Sequence, residues 1–144
     1  MNHQSVVAVA AWRMIFASWL TALIASAGSL FFSEVMELAP CVLCWYQRVF
    51  MFPLALILLL GLHPLDLKVI RYALPLAILG LLFTLYHSLL FYGVIPENLQ
   101  PCSQGVPCSG AGMELFGFLP IPLLSLAAFL IITLLLLKVR SISK

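Results

Sequence analysis

Charge is what this sequence has least of. Only 8% of its 144 residues are Asp, Glu, Lys or Arg, and 64% are hydrophobic. An ordinary soluble domain is about 25% charged and roughly half apolar. A chain this short buries too small a fraction of its surface to hide that apolar excess from water. A soluble globular domain, a disordered tail and a nucleic-acid-binding domain are excluded, and an integral membrane protein is left. Also missing is a C-x-x-C-H haem attachment sequence, since Trp45 follows Cys44. No dinucleotide-binding glycine pattern, flavin fingerprint, trustworthy internal repeat or second soluble domain is visible either.

What is present is long apolar runs. A helix needs roughly 20 apolar residues to cross a bilayer core, and four segments qualify: 14–32, 41–62, 72–95 and 116–137. Backbone groups in lipid must be satisfied internally, so these are helices. Leu dominates them and β-branched residues are sparse. Short connections at 33–40, 63–71 and 96–115 set successive helices antiparallel. The expected fold is therefore an all-α integral membrane protein, a four-transmembrane-helix antiparallel bundle in a single domain spanning 1–144. The first run continues through Leu30, Phe31 and Phe32, longer than a secretion-signal core, and reads as an uncleaved span.

The few charges are sorted. Arg13, Lys68, Arg71, Lys138, Arg140 and Lys144 all fall on one side of four crossings, whereas Glu34, Glu37, Glu97 and Glu114 fall on the other. Cytoplasmic loops carry the Lys and Arg excess, so both termini are expected inside and the loops 33–40 and 96–115 outside. Trp12, Trp45 and Tyr72 lie near expected span ends, as interfacial aromatics do. All four cysteines then lie outside, in a compartment where disulfides persist.

Those cysteines form two close pairs, Cys41-Val-Leu-Cys44 and Cys102-Ser-Gln-Gly-Val-Pro-Cys108. Structural disulfides would close tiny loops and stabilise little. A four-thiolate zinc site, in a zinc-stabilised membrane scaffold or chaperone without redox turnover, is compatible with the spacing but not with an oxidising face. Thiol–disulfide exchange fits best. Pro40 suits a helix start, and the positive end of a helix dipole favours a thiolate, the attacking species in exchange.

Two polar residues intrude into the spans. Arg48 shares a helical face with Cys41 and Cys44, about 10 and 6 Å along the axis from them. A cation there either snorkels to the interface or stabilises charge on a Cys44 thiolate or a bound electron acceptor. His87 lies about 12 Å below the outer end of the third span. It either bonds a neighbouring helix or shares a pocket with Arg48. Gln47 and Tyr86 face lipid headgroups or line the same region. A disulfide donor must itself be reoxidised, and nothing in the chain carries electrons beyond thiols. A membrane-soluble two-electron acceptor such as a quinone is expected, with Arg48 polarising a carbonyl. The 96–115 loop, with Pro101, Gly105 and Pro107, would take electrons from a dithiol outside.

These residues resemble the bacterial DsbB/BdbC family of disulfide-bond-forming membrane proteins. The string from Pro40 through Cys41-Val-Leu-Cys44-Trp-Tyr-Gln to Arg48 carries the resemblance, with Tyr86-His87, the third-loop cysteines and the Phe116-Gly-Phe-Leu-Pro-Ile-Pro122 run. The resemblance implies a quinone-dependent oxidase in the bacterial inner membrane, linked to electron transport through ubiquinone or menaquinone. Such an enzyme reoxidises a soluble or tethered DsbA-like thioredoxin-fold partner outside the cytoplasm. It implies Cys44 next to the quinone, Arg48 and His87 as quinone contacts, Cys41 exchanging with the loop pair, Cys102 joined to the partner and Cys108 resolving toward Cys41. With only five residues between Cys102 and Cys108, the loop is shorter than in the best-known DsbB proteins and resembles compact BdbC-type members.

Overall fold

The computed structural model describes residues 2–99, 105–108 and 114–144. Four long helices dominate: α1 (His3–Glu34), α2 (Val42–Leu62), α3 (Ile70–Phe91) and α4 (Ile121–Ile142). All four are long and apolar enough to span a membrane. Each packs on two others, α1 with α2 and α4, α3 with α2 and α4, which closes an antiparallel four-helix bundle.

The helices follow the apolar runs, but their ends follow local chemistry. α1 begins at His3 rather than at residue 14, because Val6, Val7, Ala8, Val9, Ala10 and Ala11 extend the helical run past Arg13. α2 starts where Pro40 and Cys41 predict. α3 stops at Phe91, ahead of residue 95, just before Gly93 takes a left-handed φ of 73°. The fourth run is split. Residues 114–120 form a hairpin of two short strands, β1 (Glu114–Leu115) and β2 (Leu119–Pro120), around Phe116 (φ 56°) and Gly117 (φ 78°). α4 then starts at Ile121 with Pro122 in its first turn, where a missing N–H costs nothing.

Inside the bundle Ile15, Leu54, Leu58, Ala77, Phe129, Ile132 and Leu136 are fully buried in one apolar core. Gly80 of α3 lies directly against the Phe129 ring of α4: a Cβ at Gly80 would overlap it. Small residues let membrane helices approach this closely. At the end of the bundle nearer the loops 33–40 and 96–115, a second cluster gathers Cys41, Leu43, Leu90 and Cys108. Many large apolar side chains, Ile24, Leu56 and Leu60 among them, face outward. That surface suits lipid and not water.

Candidate redox site

Cys41 is the N-cap of α2. Its extended backbone (φ −72°, ψ 170°) turns the chain into the helix, and its Sγ accepts the Cys44 N–H at 3.3 Å, as a Ser or Asp oxygen does at other N-caps. The C-x-x-C spacing thereby brings the two sulfurs to 2.9 Å. Both are free thiols, Cys41 buried and Cys44 partly exposed. The pair sits at the helix N-terminus, where the dipole favours negative charge.

Arg48 follows two turns from Cys41 and is 8% exposed. Its Nε donates to Ser29 Oγ and its terminal nitrogen to Ser29 O, each at 2.6 Å, and its guanidinium lies 5.3 Å from the Trp45 ring centroid. Carrying an Arg within a span costs about 2.5–3.5 kcal/mol at the helix centre. Two charge-assisted bonds of about 1.5–3 kcal/mol each are enough to offset that. Arg48 is thus anchored to α1 rather than left to snorkel.

Cys44, Gln47 and Arg48 form part of the wall of a cleft of about 460 Å³ between α1, α2 and α4, lined elsewhere by mostly apolar side chains, Phe52 and Leu124 among them. Small-molecule clefts run to roughly 300–1,000 Å³ and combine an apolar lining with a few polar groups. One of those groups is Ser26. Ser18, Thr21, Ser88 and Thr133 satisfy their hydroxyls on the carbonyl one turn back in their own helices. Ser26 Oγ is buried yet has no partner among the described residues.

His87 is fully buried on the other side of Gln47. It is not among the described residues lining the cavity; of the two readings of the sequence, the structure shows it bonding a neighbouring helix, through Gln47 of α2. Gln47 links the two regions: it lines the cavity and its Nε2 donates to His87 Nδ1 at 2.9 Å. With the amide nitrogen donating there, the ring proton lies on Nε2, 3.3 Å from Cys108 O and 3.9 Å from Cys41 Sγ. His87 therefore ties the loop carrying Cys108 to the buried cysteine of the first pair. Cys108 is itself buried and disulfide-bonded. Cys102 lies outside the described residues. Tyr86 points away and donates to Leu99 O at 2.9 Å.

The alternative four-thiolate zinc set is not what assembles among the described residues, because a sulfur held in a disulfide, as Cys108 is, offers no thiolate. The set brought together is Cys41, Cys44 and His87, with ligand atoms all within 4.8 Å of one another. The helical face of Cys41, Cys44 and Arg48 was legible from spacing. Ser29, Ser26 and the role of Gln47 were not. A serine stripe on the first span was the available signal.

The family model for disulfide bond formation protein DsbB matches residues 10–139. This chain belongs to the DsbB family. Within that family, it is 51% identical over 130 residues to a probable disulfide formation protein of Metapseudomonas resinovorans, covering 90% of each chain. It is 47% identical over 120 residues to disulfide bond formation protein C of Bacillus subtilis (strain 168), covering 82% of this chain and 86% of that one. A 43% identical relative over 122 residues is a probable disulfide formation protein of Coxiella burnetii (strain CbuK_Q154), covering 83% of this chain and 82% of that one. No solved structure matches it significantly. Family membership gives this DsbB-family chain a disulfide-forming redox role in a multi-pass membrane protein.

Proposed function

We propose that this chain is a protein-disulfide:quinone oxidoreductase of a bacterial inner membrane, with its cysteines on the extracytoplasmic side. The observation that carries the reading is the cavity in which a free thiol, Cys44, shares a wall with the anchored cation Arg48. A quinone, ubiquinone or menaquinone, fits it by size, by apolar lining and by the unpartnered Ser26 hydroxyl, and would supply a membrane-soluble sink for two electrons and two protons.

The chain's residues then act in order. The dithiol of a DsbA-like thioredoxin-fold partner gives two electrons to the Cys102–Cys108 disulfide, through a mixed disulfide at Cys102. Cys108 attacks the Cys41–Cys44 disulfide at Cys41, giving a Cys41–Cys108 mixed disulfide and releasing Cys44; Cys102 then attacks Cys108, which restores the loop disulfide and releases Cys41, so that Cys41 and Cys44 are left as thiols. The 2.9 Å between those sulfurs lets them close again into a disulfide as two electrons leave through Cys44. Arg48 offers a fixed positive charge where negative charge develops, with little reorganisation because Ser29 already holds it. His87 keeps the Cys108 backbone beside Cys41 and reaches the cavity only through Gln47. Summed, one partner disulfide forms for each quinone reduced to quinol. The sorted charges support the orientation: apart from Arg48, the cations lie toward the opposite ends of the helices from the cysteines.

Purified protein in lipid or detergent, supplied with a quinone and a reduced thioredoxin-fold partner, is expected to oxidise the partner with quinone consumed one for one. Cys44→Ser is expected to abolish turnover. Full turnover by Cys44→Ser, or by wild type without any quinone or other acceptor, would overturn the reading.

A further inference from the structure

We propose that the reduced Cys41–Cys44 pair and His87 form a redox-gated binding site for zinc-class metal ions, whose occupation arrests the chain in its dithiol state. The proposal rests on the reading that this pair cycles between disulfide and dithiol. The binding itself is measurable without quinone or partner.

The ligand set is two thiols and one imidazole, the donors that a borderline-soft d10 cation selects. Tetrahedral zinc, with Zn–S near 2.3 Å and Zn–N near 2.0–2.1 Å, sets its two sulfurs about 3.8 Å apart and each sulfur about 3.6 Å from the nitrogen. The sulfurs here are 2.9 Å apart and Cys41 Sγ is 3.9 Å from His87 Nε2. All three donor atoms lie within 4.8 Å of one another. Shifts of about 1 Å, within reach of side-chain torsion adjustment, bring the set to zinc geometry. The fourth position faces a small donor such as water, reached from the cavity that Cys44 lines.

A second contact supports the assignment. A metal-ligating imidazole almost always bonds through its other nitrogen, which fixes ring orientation. His87 Nδ1 already holds Gln47 at 2.9 Å. Metal at Nε2 requires the proton on Nδ1, and a flip of the Gln47 amide turns its oxygen to accept it. The same change gives up the 3.3 Å contact from Nε2 to Cys108 O, so the metal-bound state releases the loop from Cys41.

Binding involves no electron transfer. One divalent ion replaces the protons of two thiols, and two protons leave. A disulfide cannot ligate in this way, so the site exists only in the reduced form. Metal at 100 times its Kd therefore favours the dithiol about 100-fold. That raises the reduction potential of the pair by about 59 mV and makes it a poorer electron donor.

The test uses the full-length, anaerobically reduced protein in detergent, with Cys102→Ser and Cys108→Ser together so that the loop contributes no thiol, and Co2+ as the probe. One Co2+ per chain is expected, with thiolate-to-cobalt charge-transfer and tetrahedral d–d bands, displaced by Zn2+. His87→Ala is expected to weaken binding at least about tenfold, and Gln47→Leu about tenfold. X-ray absorption at the zinc edge on reduced wild type keeps every ligand intact and is expected to show two sulfurs with lighter N/O donors. Four sulfurs, absent charge-transfer bands, or an affinity indifferent to both His87→Ala and Gln47→Leu would overturn the site. Wild-type protein that binds Co2+ in this way yet shows no quinone turnover when metal-free would instead count against the proposed enzymatic reading.

Discussion

Ser29→Ala isolates the anchoring of Arg48 from its charge. The substitution removes the hydroxyl that accepts from Arg48 Nε at 2.6 Å but leaves the Ser29 carbonyl, which accepts from the terminal nitrogen at the same distance. One hydrogen bond to a charged group contributes about 1.5–3 kcal/mol. Trp45, 5.3 Å from the guanidinium, recovers part of that by cation–π attraction. The lower end, about 1.5 kcal/mol, corresponds to slightly more than a tenfold change. If Arg48 is held ready for a bound acceptor, that energy appears as a quinone KM raised about tenfold, because a guanidinium that drifts must be reordered on binding. Partner oxidation at saturating quinone should change by less than about threefold, since uniform binding alters KM without kcat. Arg48→Ala should raise KM further. The assay is steady-state partner oxidation across a quinone titration. An unchanged quinone KM in Ser29→Ala would refute the argument that this serine orients the cation.

Ser26→Ala carries an unusual pair of signs. It deletes a buried hydroxyl without a partner, so the quinone-free protein should melt slightly higher while quinone affinity falls; a lower melting temperature or unaltered affinity would contradict the assignment. Gln47→Leu strips His87 Nδ1 of its donor at 2.9 Å, and leaving that atom buried and unpaired should cost about 1–3 kcal/mol of stability and speed alkylation of Cys41, both measurable on the reduced protein. Gly80→Ala forces a methyl into the Phe129 ring and should cost about 1–3 kcal/mol by overpacking; a thermal shift indistinguishable from wild type would mean that α3 and α4 are not in such close contact.

The bundle was legible because lipid imposes a simple rule: each span shows as a long apolar run. The rule fixes the number of helices and blurs their ends. α2 began as expected because Pro40 and a capping Cys41 mark its start. α4 did not, because Phe116 and Gly117 adopt left-handed turns that hydrophobicity does not register. In the site, cysteines and a cation inside a span are conspicuous by chemistry. Serines in an apolar helix usually bond their own backbone, as Ser18 and Ser88 do. Which serine instead meets Arg48 depends on how α1 packs against α2. The separation of His87 from Arg48 is likewise a matter of interhelical packing: matching depths along two helices do not reveal that Gln47 stands between them.

The central claim is that electrons leave the Cys41–Cys44 pair for membrane quinone. Trapping the thiols of this pair in living cells, with quinone synthesis intact and then blocked, tests it most directly. The account predicts a disulfide in quinone-replete cells that gives way to free thiols as quinone is depleted. A pair whose oxidation state is the same with and without quinone would contradict it.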